Sequence, residues 1–184
     1  MEELIKKIEQ WGYDRNLQTA NSLMQTTKTL EECIELQQAI INLEWLEKDF
    51  ENVEGKYDNH EYLYFGSKYK TDIKDAIGDI FVTLVMLSIQ NEKVTLHKAD
   101  HCNYLNLNML EGTTVMIDCV TSAQTSLIEK DYDYVNEEIG YLIYIKEQIA
   151  IKYNLTLKEC IEYAYEQIKD RKGKMTNGLW VKEA

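Results

Sequence analysis

Glu31-Glu32-Cys33-Ile34-Glu35-Leu36 is the stretch on which the reading of this chain turns. On a helix, residues three and four apart lie on one face, their Cβ atoms about 5–6 Å apart. Glu32 and Glu35 then project side by side, with Glu31 one turn before Glu35. A second acidic stretch follows, Asp72-Ile73-Lys74-Asp75-Ala76-Ile77-Gly78-Asp79, and runs straight into Ile80-Phe81-Val82-Thr83-Leu84-Val85-Met86-Leu87. Its acids at 72, 75 and 79 also share a helical face, at the point where the chain becomes almost wholly apolar. Carboxylates at the edge of a buried surface are costly unless paired, hydrogen-bonded or bound to a metal. Two such helices side by side make a cage of hard oxygen ligands suited to Mg²⁺ or a similar ion.

The rest of the chain agrees with helices. It has no proline and only 8 glycines in 184 residues, so the main breakers of helix interiors are missing. The length suits one domain, residues 1–184, and 45% hydrophobic residues suffice for a core. The expected fold is all-α, a helical bundle with a four-helix core and no significant sheet. A net charge of −12 argues against a nucleic acid polymer as partner. It leaves a small phosphate ligand open, because a bound metal inverts the local field. Cys33, Cys102, Cys119 and Cys160 are scattered without a CxxC pair, as expected for buried free thiols in a reducing compartment. Met1-Glu2-Glu3 does not open a signal peptide, and the apolar window Ile80–Ile89 is too short to span a membrane. The expectation is a soluble, cytoplasmic protein.

Periodicity predicts helices over about 2–14, 19–49, 70–91, 113–129 and 133–153, the second with Leu23, Leu30, Ile34, Ile41 and Trp45 on its apolar face. Thr156-Leu157-Lys158-Glu159 is a capping box opening a last helix to about Lys172, with Gly173 as its stop and 173–184 as a tail. Residues 50–69 lose the helical period and read as a long loop. Residues 93–112 have no clear pattern, apart from a possible short helix at 95–100. Asp75-Ala76-Ile77-Gly78-Asp79 is echoed by Glu137-Glu138-Ile139-Gly140-Tyr141, and Leu30–Leu36 by Met116–Ser122. Either chance likeness of amphipathic helices or an old duplication explains this. In the second case the later half completes the bundle without a metal site of its own.

Lys28-Thr29-Leu30-Glu31-Glu32-Cys33-Ile34-Glu35-Leu36 and Asp75-Ala76-Ile77-Gly78-Asp79-Ile80 together resemble the paired acidic motifs of the MazG-like nucleotide pyrophosphohydrolases, closest to their short phage-type members. Trp11-Gly12-Tyr13-Asp14-Arg15 resembles that group's opening segment. Ile168-Lys169-Asp170-Arg171-Lys172-Gly173-Lys174-Met175 with Asn177-Gly178-Leu179-Trp180-Val181-Lys182 resembles its closing one. Residues 50–69 and 93–130 match little. The resemblance implies an all-α bundle, assembled as homodimers or homotetramers, that hydrolyses nucleoside triphosphates to monophosphate and pyrophosphate with Mg²⁺, or Mn²⁺ in its place. It implies Glu32, Glu35 and Asp79 as metal ligands. Many members carry a glutamate where this chain has Ala76; Asp75 is the substitute ligand, with Asp72 behind it.

In that chemistry carboxylates fix the metal against triphosphate oxygens while the α–β anhydride breaks. The candidate catalytic set is Glu31, Glu32 and Glu35, with Glu31 or Glu35 free to orient the attacking water. Lys28, Arg171, Lys172 and Lys174 are candidates for phosphate contact, and so, more remotely, is Arg15. A plainer role for the later ones is that basic residues complement a helix C-terminus. The same motifs also suit a base-selective dUTPase- or dCTPase-type enzyme, or a decayed bundle kept as an interaction or regulatory module. Thr156–Glu162 copies Thr29–Glu35 but is explained by capping. His97 and His101, beside Asp100 and Cys102, lack the partners a zinc site needs. Trp11, Tyr62, Tyr64 and Trp180 can stack on a base, though core packing or interface burial is the more usual fate of such residues.

Overall fold

A computed structural model describes residues 1–52, 59–100, 107–176 and 179–182, with the backbone alone at 51, 52, 59, 174–176 and 179–182. Among these residues the chain forms six α-helices: α1 Glu2–Tyr13, α2 Ser22–Asn52, α3 Asn59–Gln90, α4 Met109–Glu129, α5 Tyr132–Lys152 and α6 Leu157–Ile168. A 3-10 turn at Leu17–Thr19 joins α1 to α2, and a two-stranded antiparallel hairpin, β1 Gly173–Thr176 and β2 Leu179–Lys182, follows α6. The all-α expectation holds; the tail expected at 173–184 contains this one short hairpin. No helix among the described residues is long and apolar enough to cross a membrane.

The core is a bundle of α2, α3, α4 and α5. Helix α2 lies along α3 and α4, α4 along α5, and α5 returns towards α3. The outer side of α3 carries α6 and α1. Because α2 is covered on two sides, its buried set is broader than one stripe: Cys33, Leu36, Ala39, Ile40, Leu43 and Leu46. The apolar face expected from periodicity is therefore partly wrong. Ile34 is 50% exposed and Trp45 70% exposed. Helix α3, flanked by four neighbours, buries an almost unbroken run from Ile80 to Leu87.

The loop expected over 50–69 is mostly helix, since α2 continues to Asn52 and α3 starts at Asn59. These turns lose the apolar period because they project beyond the core: Leu63 and Tyr64 are exposed. Local contacts support them instead, namely the stacked Phe50 and Tyr62 rings with centroids 4.0 Å apart and the Lys68–Asp72 ion pair at 3.3 Å. The short helix possible at 95–100 does not form. Thr95 N–H donates to Asn136 Oδ1 (2.8 Å), Ala99 N–H to the Gly140 carbonyl (3.2 Å), and Lys98 pairs with Glu147 (2.7 Å). Helix α5 thus satisfies this segment's polar groups, and an extended path uses them better than a helical turn.

The echoed glycines have equivalent duties. A Cβ on Gly78 would collide with the Cys160 carbonyl oxygen, so α6 can cross α3 only over a glycine. A Cβ on Gly140 would stand 3.0 Å from the His97 carbonyl oxygen and 3.2 Å from the Ala99 nitrogen, so the 95–99 segment crosses α5 the same way. Helix α6 begins with the expected capping box: Thr156 Oγ1 accepts from Glu159 N–H (3.2 Å), and Glu159 Oε2 accepts from Thr156 N–H (2.8 Å). Such a cap stabilises by about 1 kcal/mol. The helix ends at Ile168, short of the expected Lys172. Cys33 and Cys160 are buried free thiols, and Cys119 is buried; Cys102, with His101, lies outside the described residues.

Candidate functional site

The acidic positions stand in mid-helix, on α2 and α3, where these two helices pack along each other. Glu32 is 6% exposed, Asp75 and Asp79 are half-buried, and Glu31 and Glu35 are exposed. Lys28, one turn before Glu32, pairs with Glu32 at 2.9 Å and with Glu31 at 2.8 Å. Partial burial works against the Lys28 charge, but its bonds to Glu31 and Glu32 outweigh that and raise its affinity for a proton.

Charge is crowded across the helix pair. Burial, followed by Asp75 and Glu32, pushes the Asp79 carboxyl up to about 7; Glu35 adds to the rise and the Arg171 guanidinium opposes it. Burial raises Glu32 against the pull of Lys28, with Glu35 and Glu31 adding to the rise. Burial raises Asp75 as well, opposed by Arg171 and reinforced by Asp72 and Glu35. Asp75 Oδ1 is buried without a hydrogen-bond partner. Two cations, Lys28 and Arg171, therefore face six carboxylates, and the balance remains negative.

Part of this cluster borders a cleft of about 340 Å³, within the range of small-ligand sites. Glu31, Glu32 and Asp79 stand in its wall with Lys28 and Arg171. Trp11, Leu17, Met24, Val82, Met86 and Ile168 supply apolar walls, and Asn21, Gln25, Thr83 and Gln90 the polar ones. Gln90 donates to Gln25 Oε1 (3.2 Å), and Gln25 donates to the Thr83 carbonyl (3.2 Å). Gln90 Oε1 is buried and has no partner.

Of the residues singled out from sequence, Lys28, Glu31, Glu32, Asp79 and Arg171 meet at the cleft. Glu35, Asp72 and Asp75 stand behind them and act on Asp79 or Asp75 through their charge. Lys172 is exposed and does not line the cleft; the Lys174 and Trp180 side chains lie outside the described residues. Trp11 is a buried cleft wall, whereas Tyr64 is exposed on the projecting part of α3, away from the cleft. Arg15 turns away from any ligand: its guanidinium donates to the carbonyls of Trp11 (3.1 Å), Lys169 (3.2 Å) and Arg171 (2.8 Å). His97 is exposed. Asn21, Gln25 and Gln90 escape a reading of the sequence, because nothing in their spacing separates them from ordinary helix-surface amides.

Among the described residues no three acidic, histidine or cysteine side chains already surround one point as a finished ligand set. The donor chemistry nevertheless fits a hard divalent cation, which takes carboxylate oxygens. The unpartnered Asp75 oxygen and the raised Asp79 carboxyl are what such a cation would relieve. Compared with known proteins, the chain matches no family model, no curated protein and no solved structure.

Proposed function

We propose that the protein is a Mg²⁺-dependent nucleoside triphosphate pyrophosphohydrolase that cleaves the α–β anhydride to give the monophosphate and pyrophosphate. The observation that carries this reading is the convergence of carboxylates from α2 and α3 in the wall of one cleft, with Lys28 and Arg171 beside them. Glu32, Glu35, Asp75 and Asp79 would hold the metal, with Mn²⁺ a possible substitute. When bound, the cation supplies neutralising charge to the triphosphate oxygens. Arg171 and Lys28 offer hydrogen bonds to the same phosphates. Glu31 stands in the cleft wall and needs only to leave Lys28 to accept a proton from water. Burial of Glu32 and partial burial of Asp79 strengthen their part of these interactions.

The amides of Asn21, Gln25 and Gln90, set among apolar walls, suit the edge and faces of a base, so a base-selective enzyme of the dUTPase or dCTPase type is a narrower form of the same reading. A decayed bundle serving as an interaction or regulatory module draws support from Ala76 and from the Glu32–Lys28 ion pair, which leaves the acids ungathered. Product analysis with Mg²⁺ and a panel of ribo- and deoxyribonucleoside triphosphates decides among them. Monophosphate plus pyrophosphate from any substrate is the expected result, and the ranking gives the base preference. Diphosphate plus phosphate would mean that another bond is cut. No turnover together with no calorimetric uptake of Mg²⁺ or Mn²⁺ would leave the decayed module. E35Q and D79N should each lose most turnover while folding normally. Homodimeric or homotetrameric assembly belongs to the same proposal and is read by light scattering.

A further inference from the structure

The C-terminal parts of α1 and α6, with the residues that follow each, meet beside the cleft through contacts that no ligand-binding role explains. Helix α6 finishes at Ile168, and the last carbonyls of a helix lack partners within it. Here the Ile168 carbonyl, and those of Lys169 and Arg171 just beyond the helix, are met by Trp11 of α1 and by Arg15, which follows α1. Trp11 Nε1 donates to the Ile168 carbonyl at 2.9 Å. Arg15 Nη2 donates to Lys169 at 3.2 Å and to Arg171 at 2.8 Å, and Nε donates again to Arg171 at 3.1 Å. Arg15 Nη1 donates back to α1 at the Trp11 carbonyl (3.1 Å), and its guanidinium lies 4.6 Å from the Trp11 ring centroid. The planar fork is thereby committed to main-chain oxygens and the indole face, geometry that a lysine cannot reproduce. Its positive charge also sits at the negative end of the α6 dipole. Arg171, whose carbonyl Arg15 holds, spends only Nε inside its own segment, on the Gln167 carbonyl at 3.1 Å. It lines the cleft, where its charge pulls against the rises at Asp75 and Asp79.

We propose that Arg15 is a positioning residue: it clamps the 168–171 segment onto α1 so that the Arg171 guanidinium is presented to the cleft. The functional half of this inference rests on the proposed reaction, with Arg171 taking a phosphate oxygen of the substrate; the clamp itself does not. Arg15 touches no substrate. Its removal should act through Arg171, and a lysine in its place should restore the function only in part.

The test is a double-mutant cycle with R15A, R171A and R15A/R171A, with R15K alongside, on the full chain. Turnover of the best nucleoside triphosphate with Mg²⁺ is read together with amide hydrogen exchange, in the absence of nucleotide, at Lys169 and Arg171. These amides donate to the Tyr165 and Ile168 carbonyls. R15A and R171A should each lower kcat/KM by about tenfold or more, the scale of one charge-assisted hydrogen bond to phosphate. The double variant should be little worse than R171A alone. Exchange at 169 and 171 should quicken in R15A, quicken less in R15K, and stay unchanged in R171A. Losses that multiply in the double variant would overturn the proposal, since Arg15 would then act on the substrate by its own route. Unchanged exchange in both R15A and R15K would overturn the clamp. If the wild type turns over no nucleotide, the proposed reaction fails, while the exchange comparison still decides the clamp. Should R15A not fold by circular dichroism, R15K carries both readouts.

Discussion

Replacing Asp79 with asparagine should make the protein more stable and less functional, with the gain depending on pH in a defined direction. Asp79 ordinarily releases its proton near 3.8, and in the fold it does so at about 7 because it is buried beside Asp75, Glu32 and Glu35. The native state therefore holds this proton over a range in which the unfolded chain has released it. Native stability then falls as pH rises from about 4 to about 7 and stays low above that. About three pK units at about 1.4 kcal/mol each set a ceiling of about 4 kcal/mol on the cost of the charge. The carboxyl is partly open to the cleft and Arg171 stands near it, so the expected gain for D79N at pH 8 is about 1–3 kcal/mol. At pH 5 the gain should shrink to about a third of that, because most of the cost has not yet been incurred. Urea unfolding of both proteins at the two pH values measures it by linear extrapolation. Mg²⁺ at pH 8 should raise the stability of the wild type, by about 2.7 kcal/mol at a hundredfold excess over its Kd, and should do little for D79N. An equal gain at both pH values, or a loss at pH 8, would refute the idea that crowded carboxylates burden the fold for the sake of a cation.

Two further outcomes test the packing. Lys146 is fully buried, its ammonium has no hydrogen-bond partner and lies 4.3 Å from the Phe81 ring centroid, and burial lowers it to about 7 from 10.5. K146M should stabilise the protein by about 2–4 kcal/mol at pH 6–7, a gain that fades as pH approaches 10.5, where the unfolded chain also loses the proton; a loss of stability in thermal unfolding at pH 6 would contradict this. G78A should destabilise by about 3 kcal/mol or more, against the gain of about 1 kcal/mol that Gly→Ala usually brings inside a helix, because the new methyl meets the Cys160 carbonyl; G140A should cost less. Circular-dichroism melts of the two variants give the sign.

The helical fold was legible because its signal is redundant. Proline is missing, α1 buries Leu4, Ile8 and Trp11 at helical spacing, and Thr156–Glu159 caps α6 as its sequence announces. Where the period failed, the cause was the burial pattern: residues 59–69 are helix with little to pack against, so no apolar stripe marks them. The acids were legible as two clusters on two helices, and the structure sets those helices side by side. Their distribution was not, because spacing along one helix cannot say that Glu32 is buried while Glu35 is exposed. Arg15 was harder still. Its partners across the fold are main-chain carbonyls more than 150 positions away, and carbonyls carry no side-chain identity for a sequence to display.

The echo between the halves bears on the genetics of the protein. One chain alone supplies Lys28, the acids on α2 and α3, and Arg171, while α4 and α5, which repeat the pattern without the acidic set, close the same bundle. Under the proposed reaction, a chain altered at Glu35 and another altered at Asp79, expressed in one cell, could not pool their intact residues at one cleft. Alleles at these positions should fail to complement one another, and a damaged copy should leave an intact one at full output.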